Sequence, residues 1–160
     1  MMNSELNLTK PSPNNPSAIS KSLVIIFLAL AFLGFLDAAY LTAFHYRDFT
    51  IPCPITGECE TVLISKYATV GPIPVALFGA LYYLTLLILA IVYLDTENLK
   101  ALRLATLLTW AGFITSLVLI WLQLFVIHAI CIYCMGSATA STLLWILGLI
   151  IRKRLNFIRV

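Results

Sequence analysis

The segment 22-SLVIIFLALAFLGFLDAAYLTAFHY-46 decides the class of fold, because over 25 residues it carries one acid, Asp37, and no Lys or Arg. The hydrocarbon core of a bilayer is about 30 Å thick and takes roughly 20 apolar residues of helix to cross. Working outward, three more uncharged runs of this kind follow, at about 74–94, 104–127 and 130–151. Across the 160 residues 61% are hydrophobic, 11% are charged and the mean hydropathy is +0.99, more apolar surface than a water-soluble domain of this size can hide. The expectation is an all-α integral membrane protein, a four-transmembrane-helix bundle. One domain is expected, residues 21–152, because the joining segments are too short to hold a second core. The first run also exceeds the 7–15-residue apolar stretch of a secretory signal, so it reads as a retained span; Asp37, Ala38 and Ala39 near its end leave cleavage as the alternative.

Orientation follows from the basic residues, because Lys and Arg beside a span resist translocation. Lys10, Lys21, Lys100, Arg103, Arg152, Lys153, Arg154 and Arg159 fall on one side of a four-span path, and only Arg47 and Lys66 on the other. Both termini are therefore expected in the cytoplasm. The outer loop, 47–73, and the turn from Val126 to Cys131 then face outside, with all four cysteines at or near that surface. The net charge of +3 sits mostly at membrane edges, where lipid headgroups and topology account for it, so no nucleic-acid partner is expected.

Residues 1–20 are rich in Asn, Ser and Pro and read as a disordered cytoplasmic tail, and 153–160 as a basic cytoplasmic tail. After the first span, Ile51-Pro-Cys-Pro-Ile-Thr-Gly-Glu-Cys59 has the prolines and glycine of an irregular turn bracketed by Cys53 and Cys59. From Glu60 to Ser65 a short apolar stretch suits a helix lying at the interface as a cap. Gly71-Pro-Ile-Pro74 breaks the backbone before the second span, and Asp95 to Lys100 suits a tight helix hairpin.

Free cysteine is often an inert small hydrophobe, but the spacing here points to exchange chemistry. Cys131-Ile-Tyr-Cys134 places a C-x-x-C at the outer end of the fourth span, where the helix dipole and free amides stabilise a thiolate. Cys53 and Cys59 form a second pair on the same side. Two pairs and one mobile loop can pass two electrons by thiolate attack on a disulfide. A c-type haem site needs His after the second cysteine, and Met135 stands there. Zinc would need four permanently ligated thiols in a compartment that oxidises thiols. A purely structural pair of disulfides, stapling the loop of a membrane scaffold or channel, is the non-enzymatic alternative.

Gly34 and Tyr40-Leu-Thr in the first span, Cys53 and Cys59, Ser65 six residues beyond, Phe78-Gly79 in the second span and Cys131-Ile-Tyr-Cys134 together resemble the vitamin K epoxide reductase family, across nearly all of Ser22 to Ile151. The resemblance implies a four-helix bundle around a quinone, capped on the outer side, in a quinone-dependent thiol oxidoreductase that supports disulfide formation. It implies that Cys134 lies against the quinone with Cys131 as its partner. By the same resemblance Cys59 exchanges with Cys131, and Cys53 takes electrons from the substrate protein. Ser65 is implied to bond near the ring or steady the cap, with Phe78 and Ala138 also near the quinone. Animal members contact the vitamin K head group through an Asn and a Tyr, whose positions fall near Val75 and at Ala138 here; that difference favours plain quinone reduction, with ubiquinone, menaquinone or a vitamin K-like quinone as cofactor. Many bacterial members carry a fused thioredoxin-like domain that this sequence lacks, so the implied partner is a separate thioredoxin-like or DsbA-like protein. The expected form is a monomer in the inner, or plasma, membrane.

Asp37 is the remaining functional candidate, because an acid inside a span is costly and quinone reduction consumes protons; a solvated structural acid is the alternative to a proton relay. His45 and His128 lie near the outer interface and could supply protons or bond a quinone carbonyl, although interface histidines are usually just solvated. Trp110, Trp121, Trp145, Tyr82 and Tyr83 read mostly as packing or lipid-facing. Gly112, Gly136, Ser137 and Ala138 read as sites of close helix approach that also leave room for a quinone.

Overall fold

The computed structural model describes residues 20–47 and 59–158. Cys53 and the expected N-terminal tail lie outside the described residues. The elements are α1 (Lys21–Arg47), α2 (Cys59–Leu63), the two-residue strands β1 (Thr69–Val70) and β2 (Ile73–Pro74), α3 (Val75–Thr96), α4 (Leu99–Leu122), a π turn (Gln123–Ile127) and α5 (Ile132–Ile158). Among the described residues four helical stretches are long and apolar enough to cross a bilayer: Lys21–Tyr46, Val75–Thr96, Leu99–Ile127 and Ile132–Asn156.

The four long helices form a ring in which α1 packs against α3 and α5, and α4 packs against the same two helices from the other side. Their common core is built from Val24, Phe27, Leu86, Leu102, Leu144 and Ile151, all fully buried, with Ala31, Ala80, Ala90 and Ala105 where backbones come close. Small residues at such crossings matter in lipid, where helices associate by packing and not by a hydrophobic drive between them. Large side chains such as Leu33, Ile88, Ile114 and Trp121 point outward, as a lipid solvent permits. Gly34 is required by packing: a Cβ there would overlap the Tyr83 ring, 2.6 Å from Cζ.

Two helices are longer than the apolar runs suggest. The third was expected from about residue 104 but begins at Leu99, because Asn98 takes the N-cap position and its side chain accepts the Lys100 N–H at 3.0 Å. The last runs through Arg152, Lys153 and Arg154 to Ile158, so the helix continues past the apolar run into the basic segment. Hydropathy measures how much helix lies in lipid, and a helix keeps its backbone hydrogen bonds beyond that boundary while long basic side chains reach water. The exposed pair Lys21–Glu97, 4.0 Å apart, brings the start of α1 to the end of α3, on one side of the bundle.

At the opposite end, the expected short helix after Cys59 forms as α2. Beyond it Thr69 pairs with Pro74 and Val70 with Ile73 in a small antiparallel hairpin that was not anticipated. Gly71, at φ +65°, supplies the left-handed turn residue that a side chain would strain. The cap is stitched downward by Ser65 N–H to the Val62 carbonyl, Ala68 N–H to the Ser65 carbonyl and Val75 N–H to the Ala68 carbonyl, so it leads without a break into α3.

Candidate functional site: a thiol pair at the edge of an apolar cavity

The backbone of α5 starts just after Cys131. The Met135 N–H donates to the Cys131 carbonyl at 3.0 Å, the first bond of the helix, and the Cys134 N–H donates to the Cys131 Sγ at 3.4 Å. The sulfur thus stands where a Ser or Asp oxygen usually caps a helix, facing the positive end of the dipole. Cys131 is fully buried. Even so, its thiol is pulled down to about 7, chiefly by a hydrogen bond from the Cys134 side chain and further by the Cys134 and Tyr133 amides, against the opposing effects of burial and of the Asp37 charge. A thiol of this kind is substantially ionised near neutrality and suited to exchange.

Cys59 opens α2 and is disulfide-bonded, whereas Cys131 and Cys134 are free thiols. Cys59 and Cys131 belong to one buried cluster with Val62 and Ala129, and Leu63, Ile127, Tyr133 and Cys134 pack around it. The two sulfurs of the C-x-x-C have different surroundings. Cys131 is enclosed with Cys59, while Cys134, one turn along, forms part of the wall of a cavity.

That cavity, about 120 Å³, lies beneath the cap and between the helices. Its size is close to the roughly 150 Å³ of an apolar protein cavity that takes up benzene. Leu41, Val62, Leu63, Val75, Leu119 and Ile120 make most of its lining apolar, and Ser65, Ser116, Gln123, Ser137 and Cys134 bring a few polar atoms to it. An apolar slot with a few convergent polar groups is the kind of lining that suits a flat, largely apolar ring carrying polar oxygens.

The resemblance-derived residues fall unequally around this site. Ala138 is buried and lines the cavity, as does Ser65. The Ser65 hydroxyl donates to the Val62 carbonyl at 2.7 Å, so it closes the end of α2 and has no proton left to offer a quinone oxygen. Phe78 is 49% exposed and stands outside the lining; its neighbour Gly79 takes the wall position. Asp37 is half-buried, with Oδ2 buried and without a hydrogen-bond partner among the described residues. His45 lines the cavity, and His128 is exposed. Trp145 stacks on Phe113 with ring centroids 4.2 Å apart and meets Trp110 edge-on, away from the cavity. At Gly112 a side chain would meet the Tyr82 hydroxyl, whereas at Gly136 nothing lies within 4 Å, so close packing does not account for that glycine.

Two contributors were not foreseen in these roles. The Tyr83 hydroxyl donates to the Ser137 carbonyl at 2.8 Å and lies 3.1 Å from its Oγ, tying α3 to the turn of α5 that follows Cys134. Gln123, buried, accepts the Cys131 N–H on Oε1 at 3.0 Å. A lone amide in an otherwise apolar span was the available signal, since buried polar side chains in membranes need a partner.

Compared with curated proteins, the chain has no significant match. Compared with known protein families, residues 25–149 match the Vitamin K epoxide reductase family, a stretch that reaches from early in α1 to well into α5 and includes the C-x-x-C. Membership of this kind carries quinone-linked thiol oxidoreductase chemistry in general, in a multi-pass membrane setting. The arrangement of thiol pair, cap and cavity within a four-helix membrane bundle, together with that match, means that the chain belongs to the vitamin K epoxide reductase family.

Proposed function

We propose that this protein oxidises a separate thioredoxin-like or DsbA-like protein on the outer face of the inner (plasma) membrane and passes the two electrons to a membrane quinone, so supporting disulfide formation. Both termini lie in the cytoplasm in this reading, the cysteines face outward and the protein acts as a monomer. The observation that carries it is the division of labour within the C-x-x-C: Cys131 is enclosed with Cys59, and Cys134 faces the cavity.

A bound quinone would supply an acceptor for two electrons and two protons. Cys134 and Ala138 would hold its head group, with Ser65 steadying the cap above. As the electrons leave, Cys131 and Cys134 become a disulfide. The partner's dithiol reduces the Cys53–Cys59 disulfide and becomes a disulfide itself. The Cys59 thiolate then attacks Cys131 Sγ and frees Cys134, and Cys53 attacks Cys59, restoring the loop disulfide and the Cys131 thiol. The protons released by the partner equal those the acceptor takes up. We assign Asp37 as their relay, because its carboxylate has a buried oxygen with no hydrogen-bond partner among the described residues and its charge reaches Cys131. Menaquinone, ubiquinone and vitamin K-like quinones all suit the apolar lining, and the absence of the vitamin K-contacting Asn near Val75 and Tyr at Ala138 favours quinone over epoxide.

The test is quinone reduction by membranes that contain the protein, driven by a reduced thioredoxin-like protein. Quinol formation that requires Cys134, and a trapped Cys59–Cys131 disulfide in Cys134→Ala, are the expected results. Full activity in Cys134→Ala would sink the proposal.

A further inference from the structure

Gln123 lies at the outer end of the third span, only 4% exposed, and three hydrogen bonds converge on it. Its main-chain carbonyl accepts the His128 N–H and the Ala129 N–H, the latter at 3.2 Å. Its side-chain Oε1 accepts the Cys131 N–H at 3.0 Å. A backbone N–H can only donate, so the amide oxygen must face Cys131. Three amides of the segment 128–131 therefore end on one residue. The π turn makes this possible: the wider turn lets the Gln123 carbonyl reach His128, five residues on, and His128, at φ +55°, reverses the chain immediately afterwards.

Holding the Cys131 amide fixes the direction of its side chain. The sulfur is thereby kept in the cluster with Cys59 and within 3.4 Å of the Cys134 N–H. Gln123, like Cys134, also lines the cavity, so the residue that holds Cys131 belongs to the same site as the second thiol.

We propose that Gln123 is the positioning residue of the redox pair, holding Cys131 at the head of α5 so that one sulfur stays with Cys59 and the other faces the cavity. The inference rests on the thiol-to-quinone reading above. Gln123→Leu removes the acceptor at similar volume and leaves a buried N–H unpaired, whereas Gln123→Glu keeps a carbonyl oxygen in either protonation state. With dithiothreitol as the dithiol and decylubiquinone as the acceptor, kcat of the Leu variant is expected to fall about tenfold with a smaller change in KM, and the Glu variant to stay within about threefold of the unaltered protein. Alkylation of Cys131 by iodoacetamide, read by mass spectrometry against pH, gives a second readout. Its midpoint should lie near 7 in the unaltered protein and move up by about one pH unit in the Leu variant, as the cap at the sulfur loosens.

A residue that merely filled space would change alkylation at every pH without moving the midpoint. Unaltered kcat and midpoint in Gln123→Leu, or a Glu variant as impaired as the Leu variant, would overturn the proposal. Should Gln123→Leu fail to accumulate in membranes, Gln123→Met, unbranched and also without an acceptor, takes its place under the same criteria. If the unaltered protein reduces no quinone, the functional reading fails, while the alkylation midpoints still decide the role of Gln123.

Discussion

The bundle reverses direction twice through short helix junctions, and the two are built differently. Between α3 and α4 the turn is Glu97-Asn98; between α4 and α5 it is the π turn followed by residues 128–131. Each contains one non-glycine residue in the left-handed region, Glu97 at φ 51° and His128 at φ 55°. At the first, every cap is local: the Glu97 N–H returns to the Tyr93 carbonyl at 2.9 Å and Asn98 caps α4. At the second, the cap of α5 is a cysteine sulfur, and the turn is held by a buried glutamine eight residues back from Cys131. Both solve the problem of unpaired amides at a helix start. Only the second does so with a group that can be oxidised, which ties the redox state of the thiols to the geometry of the helix end.

The comparison can be broken first at the sulfur. Cys134→Ser should abolish quinone-linked thiol oxidation altogether, since an alcohol cannot form the disulfide, while leaving the helical content seen by circular dichroism intact. Next in size is pH. The Cys131 thiol lies below its ordinary value, so thiolate accumulates as pH rises through about 7 and is lost below it; between pH 6 and 8 its alkylation rate should climb about tenfold and then level off. A smooth rise continuing past pH 9 would contradict the cap at the sulfur. At the other junction, Asn98→Ala should lower stability by about 1 kcal/mol, read from thermal unfolding in detergent, without changing turnover. The smallest effect is expected from Glu97→Gly. Relief of the left-handed backbone should stabilise by about 0.5–1 kcal/mol, less the little that the exposed contact with Lys21 contributes, and again turnover should not move.

The two junctions also differ in how legible they were. Asp95 to Lys100 reads as a hairpin because Asn and charged residues interrupt an apolar pattern, and the cap at Asn98 follows from its residue type. Nothing in 123-QLFVIHAI-130 marks a π turn, and Gln123 is legible only as an isolated amide whose partner is unknown. Cys131 and Cys134 stood out by spacing and by their place at the head of the last apolar run, yet spacing could not say which sulfur would be enclosed and which would face a cavity. Phe78 shows the converse: a residue singled out by resemblance lies on the lipid side, and its glycine neighbour lines the site.

What the amino-acid sequence determined by itself is the solvent and the number of spans, because long uncharged runs are a property of composition along the chain. Only the tertiary structure decided how the site is assembled. The enclosure of Cys59 with Cys131, the cavity beside Cys134 and the tie from Tyr83 to Ser137 each join elements distant in sequence, and the local grip of Gln123 on its turn depends on a π turn that the residue types do not mark. Such contacts depend on helix rotation and crossing. In lipid these are set by the fit of side chains such as Gly34 against Tyr83, and apolar periodicity does not encode that fit.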